Sequence, residues 1–142
     1  MMDSKRKWVI DYIKSEYNLD SETPFADSPD TIVFRNRRNK KWFGVIIGDL
    51  PKEKLGLDSL ERADILNLKC DPLFSYNVVN NSGIFKAYHM NKEHWISVLL
   101  DGSVSDEEIA FLINMSYMLV DKKTKSRLKE NQETIKSTDS RK

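Results

Sequence analysis

The chain has 142 residues, 23 Lys+Arg against 22 Asp+Glu, and a single cysteine. That length suits one domain with its own core, and one thiol excludes a disulfide framework or a four-cysteine zinc cluster. No apolar run approaches the roughly 20 residues of a membrane span, and the N-terminus lacks a signal-type apolar stretch, so a soluble, cytoplasmic domain is expected.

The net charge of +1 hides alternating blocks. Residues 1–30 sum to −3, residues 31–54 to +5, residues 55–120 to −5 and residues 121–142 to +4. Two basic segments on a neutral chain are what a phosphate footprint needs. They are also what a solvated hairpin tip and a polar tail look like.

Residues 3–17 read as a first helix, with Val9, Ile13 and Tyr17 at four-residue spacing and Asp3 or Ser4 as cap. Pro24 and Pro29 forbid regular structure across 18–30. Thr31 to Arg35 is β-branched and aromatic, hence a strand. A polar turn over 36–40 and a return strand over 41–47 complete a hairpin with a basic tip. Strict alternation puts Trp42, Gly44 and Ile46 on one face and Phe43, Val45 and Ile47 on the other. Both faces are apolar, so the sheet is covered on part of each side.

Residues 50–60 form a connection. Arg62 to Cys70 reads as a strand with Leu66, Leu68 and Cys70 on one face; a helix is the alternative, given its Ala, Leu and Arg. Asp71-Pro72 is an N-cap followed by proline at the first helical position, opening a short helix over 72–79. Asn80 to Gly83 is a turn, and 84–92 is irregular or extended. His94 to Leu100 is the last strand, closed by Asp101-Gly102. Ser105 to Glu108 is a capping box. Behind it Ile109, Leu112, Ile113, Ser116, Tyr117 and Val120 share one helical face. Residues 123–142 lose apolar periodicity and read as a basic polar tail, frayed or disordered over about its last 15 residues. Strands grouped between two terminal helices give an α+β domain, its helices packed on a mostly antiparallel sheet.

Two clusters are candidates for function. Arg35, Arg37, Arg38, Lys40 and Lys41 crowd the hairpin tip, which is narrow enough to straddle a groove. Each phosphate neutralised there would lower log K by about 0.9 per log unit of salt. The plainer account is that Lys and Arg at a tip keep it soluble and block edge pairing. The second cluster is Tyr88-His-Met-Asn-Lys-Glu-His-Trp95, with two imidazoles, an amide, an ammonium and two aromatics. Such groups suit a small ligand or a protein partner, or a loop that satisfies its own backbone. His89 and His94 are five residues apart with only Cys70 as a thiol, so no metal site is expected. No nucleophile elbow and no phosphate-cradling glycine loop is present, so neither an enzyme nor a cofactor is expected.

The run His89-Met-Asn91-Lys92-Glu-His94-Trp95, the strand after it, the Asp101-Gly102 turn and the helix carrying Ser116-Tyr117 resemble the C-terminal signature of the MmcQ/YjbR family. Lys69-Cys-Asp-Pro72 is similar to that family's strand-to-helix step. The order of elements agrees over about residues 3–122. The resemblance implies a CyaY-like α+β sandwich, also described as a double-wing DNA-binding fold, in small bacterial proteins usually described as DNA-binding. It implies DNA as partner; the basic hairpin then supplies the phosphate contacts, from Arg35, Arg37, Arg38, Lys40 and Lys41, with Lys92 and His94 as a second contact. The motif positions are His89, Asn91, Lys92, His94 and Trp95; Tyr88, His89, Asn91, His94 and Trp95 carry the alternative, a ligand- or protein-binding loop. The same fold class holds frataxin-like iron binders with an acidic first helix. Here that helix opens Ser4-Lys-Arg-Lys7, which departs from an iron ridge.

Overall fold

The computed structural model describes residues 5–136, with side chains described over 5–121. Helix α1 spans Arg6–Tyr17, strand β1 Ile32–Arg35 and strand β2 Trp42–Pro51. A 3-10 turn over Lys52–Leu55 leads to β3, Arg62–Lys69. Helix α2 is Pro72–Val78, β4 is Ile84–Lys86 and β5 is Trp95–Leu99. Helix α3 runs Asp106–Lys136. The five strands form one sheet in the order β1-β2-β3-β5-β4, each neighbouring pair antiparallel. This is an α+β fold with both long helices on one face, and β3 is a strand, not the alternative helix. Among the described residues no helix is long and apolar enough to cross a membrane.

The punctuation read from the sequence carries through. Asp71 accepts a hydrogen bond from the Phe74 amide at 3.2 Å and starts α2. Asn80 Oδ1 accepts from the amides of Ser82, Gly83 and Ile84, closing the turn before β4. Ser105 Oγ accepts from the Glu108 amide at 3.1 Å and starts α3. Gly102, at φ 98, supplies the left-handed step after β5. Asp3 and Ser4 lie outside the described residues. Lys5 occupies the cap position of α1 without a side-chain cap, and Asn18, at φ 55, ends the helix.

Val9 and Ile13 of α1 and Ile109, Leu112, Ile113 and Val120 of α3 pack on Phe34, Phe43, Ile46, Leu66 and Ile96 of the sheet. Fully burying such a side chain contributes about 1.5–3 kcal/mol. Two smaller clusters cover the other sheet face. One joins Val33, Val45, Ala87 and Trp95 with Trp42 and Met90. The other joins Leu50, Ile65, Phe85 and Leu99 with Leu55, Leu57 and Tyr88. The second face is therefore covered by the loop after β4 and by the 3-10 turn, with no helix of its own.

The alternation expected in β2 fails at its start. Phe34 lies opposite Gly44, but Arg35 lies opposite Trp42, so Phe43 is an extra residue in a β-bulge. The bulge exchanges the two aromatics. Phe43 joins the helix-side core and Trp42 joins Val45 and Ile47 on the other face. A second shift falls between Ile47 and Leu50, where Asp49 has φ 54.

Helix α3 also continues past the loss of apolar periodicity, where an irregular tail was expected. Its backbone is helical through Lys136. Lys, Arg, Leu, Glu and Gln, which dominate there, have high helix propensity. The rest of the expected tail, residues 137–142, lies outside the described residues.

Candidate nucleic-acid interface

Register decides which loops meet. The hairpin tip (36–41), the β3–α2 junction (69–71) and the loop after β4 (87–94) all leave the same end of the sheet, because β2 begins, β3 ends, β4 ends and β5 begins there. Both clusters singled out from the sequence therefore share one end of the molecule.

The tip is built around Asn36, which is fully buried. Its Oδ1 accepts from the amides of Arg38 and Asn39, holding the turn closed. Its Nδ2 donates to Asp121 Oδ1 at 3.2 Å. Asn39 Nδ2 donates to the Val120 carbonyl at 3.3 Å. The tip is thus fastened to α3, and Lys40 takes a left-handed conformation, φ 63, to return the chain.

The five tip cations divide. Arg35 Nε pairs with Glu22 at 3.0 Å and lies over the Trp42 ring, 6.0 Å from its centroid. Arg38 pairs with Asp121. Arg37 donates to the Asn18 carbonyl at the end of α1, beside Asp20. A hydrogen bond from Lys14, with Arg37 adding to its field, holds the Asp20 carboxyl below its ordinary range. Lys40 is exposed, and neither it nor Lys41 has a side-chain partner among the described residues. Two of the five cations are therefore neutralised by carboxylates, and the tip is less positive than its composition.

The 88–95 loop spends most of its polar groups on itself. Asn91 Oδ1 accepts from the amides of Glu93 and His94. Lys92 Nζ donates to the Ala87 carbonyl at 2.9 Å. The His94 carbonyl accepts from the Cys70 amide at 2.8 Å. The His89 ring lies 4.0 Å from that of Tyr88, on a backbone of φ 62. A buried pair fixes the loop from below. Ser97 Oγ donates to Asn67 Oδ1 and accepts from the Tyr88 amide, while Asn67 Nδ2 donates to the Tyr88 carbonyl at 3.0 Å. Trp95 is buried core, with Lys69 Nζ over its ring at 5.2 Å. His89, Asn91 and Lys92 remain on the surface. This self-bonding favours a structural role for the motif over a ligand pocket.

Asn36, Glu22, Lys69 and Asp121 are the site residues that sequence reasoning missed. Only Asn36 carried a local signal, as an asparagine opening a polar turn. A separate apolar cavity of about 510 Å³ lies between α2 and α3, lined by Leu68, Cys70, Phe74, Leu112, Met115 and Met118 among others. Burial there pushes the Cys70 thiol up to about 11. Among the described residues no cluster of three or more His, Cys, Asp or Glu side chains is placed to hold a metal ion.

Comparison with known proteins matches residues 17–119 to the YjbR family model. The chain is 41% identical over 114 residues to the uncharacterized protein YyaQ of Bacillus subtilis, covering 80% of this chain and 96% of that one. The crystal structure of a Pseudomonas syringae protein superposes with a TM-score of 0.76 at 40% identity, covering 83% of this chain and 98% of the other. A Deinococcus radiodurans crystal structure superposes with a TM-score of 0.59 at 28% identity, covering 81% and 80%.

Proposed function

This chain belongs to the YjbR family, and we propose that it is a DNA-binding protein without enzymatic activity, meeting phosphates with the hairpin-tip end of its sheet. The observation that carries the reading is the placement of Lys40 and Lys41. They stand at the tip with no side-chain partner among the described residues, at the sheet end that also presents Arg37 and Lys92. Arg35 and Arg38 drop out of the phosphate-contacting set, since Glu22 and Asp121 already hold them. They position the tip instead. Contacts of this kind orient the protein on the backbone and carry no base readout.

The test is a titration with a short DNA duplex at two salt concentrations. Wild type should bind at low salt and weaken steeply as salt rises. An Arg37/Lys40/Lys41→Ala variant should lower the log–log salt slope by about 2–3 units, at roughly 0.9 per phosphate contact. No binding at low salt, or a slope unmoved by the variant, overturns the reading.

A further inference from the structure

The two basic stretches of the sequence, residues 31–54 and 121–142, are far apart along the chain. The fold joins them at one point. Asn36 and Arg38 of the tip bond Asp121, and Asn39 bonds the Val120 carbonyl. Helix α3 continues from there to Lys136. The eight residues after Asp121 read Lys-Lys-Thr-Lys-Ser-Arg-Leu-Lys, five cations without one acid. At 1.5 Å per residue, the helical backbone beyond Asp121 is about 22 Å long. Like charges three and four residues apart, such as Lys123 and Arg127, oppose a helix by about 0.2–0.5 kcal/mol per pair. A polyanion alongside removes that cost.

We propose that the hairpin tip and the α3 extension form one contact surface, and that its partner is double-stranded nucleic acid. The inference rests on the phosphate-binding reading above and names its ligand. A helix of about 10–12 Å diameter fits the major groove of about 12 Å, with the tip beside it on the backbone. Single strands are held chiefly by stacking bases on open aromatic faces. The two tryptophans at this end have cations over their rings, Arg35 on Trp42 and Lys69 on Trp95, and Trp95 is only 6% exposed. Phosphates, not unstacked bases, suit this surface.

The experiment uses the full chain, with duplex and single-stranded DNA of equal length titrated across a salt series. The variant is Lys122/Lys123/Lys125/Arg127/Lys129→Gln, which keeps helix propensity and removes the charge. Its circular dichroism and melting temperature should match wild type. Wild type should prefer duplex. The variant should lose at least tenfold in duplex affinity at low salt and about 2 or more units of salt slope, at roughly 0.9 per contact. If the tip variant weakens binding while the glutamine variant keeps wild-type affinity and slope, the contact ends at Asp121: this inference falls and the functional reading stands. Equal or tighter binding of the single strand overturns the choice of duplex. Wild type that binds neither nucleic acid overturns both.

Discussion

The two ends of the sheet carry the same kinds of charge and use them differently. At the end away from the tip, Lys5 pairs with Asp106, Arg6 with Asp30 and Asp64, Arg62 with Asp49, and Lys52 with both Asp101 and Glu61. The carboxylates outnumber those cations, with Glu53, Asp58, Glu107 and Glu108 in the adjoining turns. At the tip end the carboxylates Glu22 and Asp121 take Arg35 and Arg38, and Asp71 and Glu93 face the larger set Arg37, Lys40, Lys41, Lys69 and Lys92, so among the described residues cations are in excess. One end is a set of closed ion pairs with spare acid; the other is a bonded scaffold with spare base. Such a separation orients a molecule toward a polyanion before contact, which a count over the whole chain conceals.

The contrast can be broken first at the bulge. Phe43→Ala should cost about 3–5 kcal/mol in chemical denaturation, as large-to-small core changes of phenylalanine do. Phe43 is fully buried, and its ring meets Tyr117 edge-on at 5.2 Å. A loss below about 1 kcal/mol would mean the extra residue does not seat the tip on the core. Asn36→Ala removes the group that both closes the turn and ties it to α3. It should cost about 1–3 kcal/mol, the penalty for unsatisfied buried partners, and weaken DNA binding although Asn36 itself meets no phosphate. Unchanged binding would show that tip geometry is irrelevant to the spare lysines.

Smaller effects sharpen the comparison through pH. The Cys70 thiol, just past β3 at the tip end, is pushed from 9.0 to about 11 by burial. The unfolded chain releases that proton first, so stability falls as pH rises between those values, by about 2 kcal/mol. Tyr17, raised by burial to about 12, adds to the loss above its ordinary value of 10.0. Melting curves of Cys70→Ala should lack the part of the decline between pH 9.0 and 10.0. At the opposite end, burial pushes the Asp101 carboxyl up, but hydrogen bonds from Lys52 and Ser103 outweigh it and leave it below 3.8. Its contribution is present at neutral pH and lost as pH falls through that range. Lys52→Met should move the acid-unfolding midpoint, read by tryptophan fluorescence, slightly upward. If it stays put, the closed pairs of that end are decorative.

Much of this was legible locally. The Asp71-Pro72 step, the Asn80 turn, the Ser105 cap and the apolar stripe of α3 each act within a few residues, so sequence carries them. The bulge was not legible, because alternation assumes one residue per partner and nothing in Lys-Trp-Phe-Gly marks Phe43 as the extra one. The neutralisation of Arg38 was hidden for a different reason. Its carboxylate comes from Asp121, 83 positions away, so a local tally of charge overstated the tip. Likewise nothing near Lys92 in the sequence marks that its ammonium donates to the Ala87 carbonyl, which fixes where that exposed charge stands.

The irregularities of β2 reach beyond the site. With register shifts near both ends of the strand, only a short central stretch follows flat pleating. The outermost strands are brief as well, four residues in β1 and three in β4, and a bridge from Glu22 to Val33 lies alongside β1. Neither border offers a long straight ladder for another chain to extend. Copies of the protein at high concentration thereby lack an edge from which to grow into fibrils.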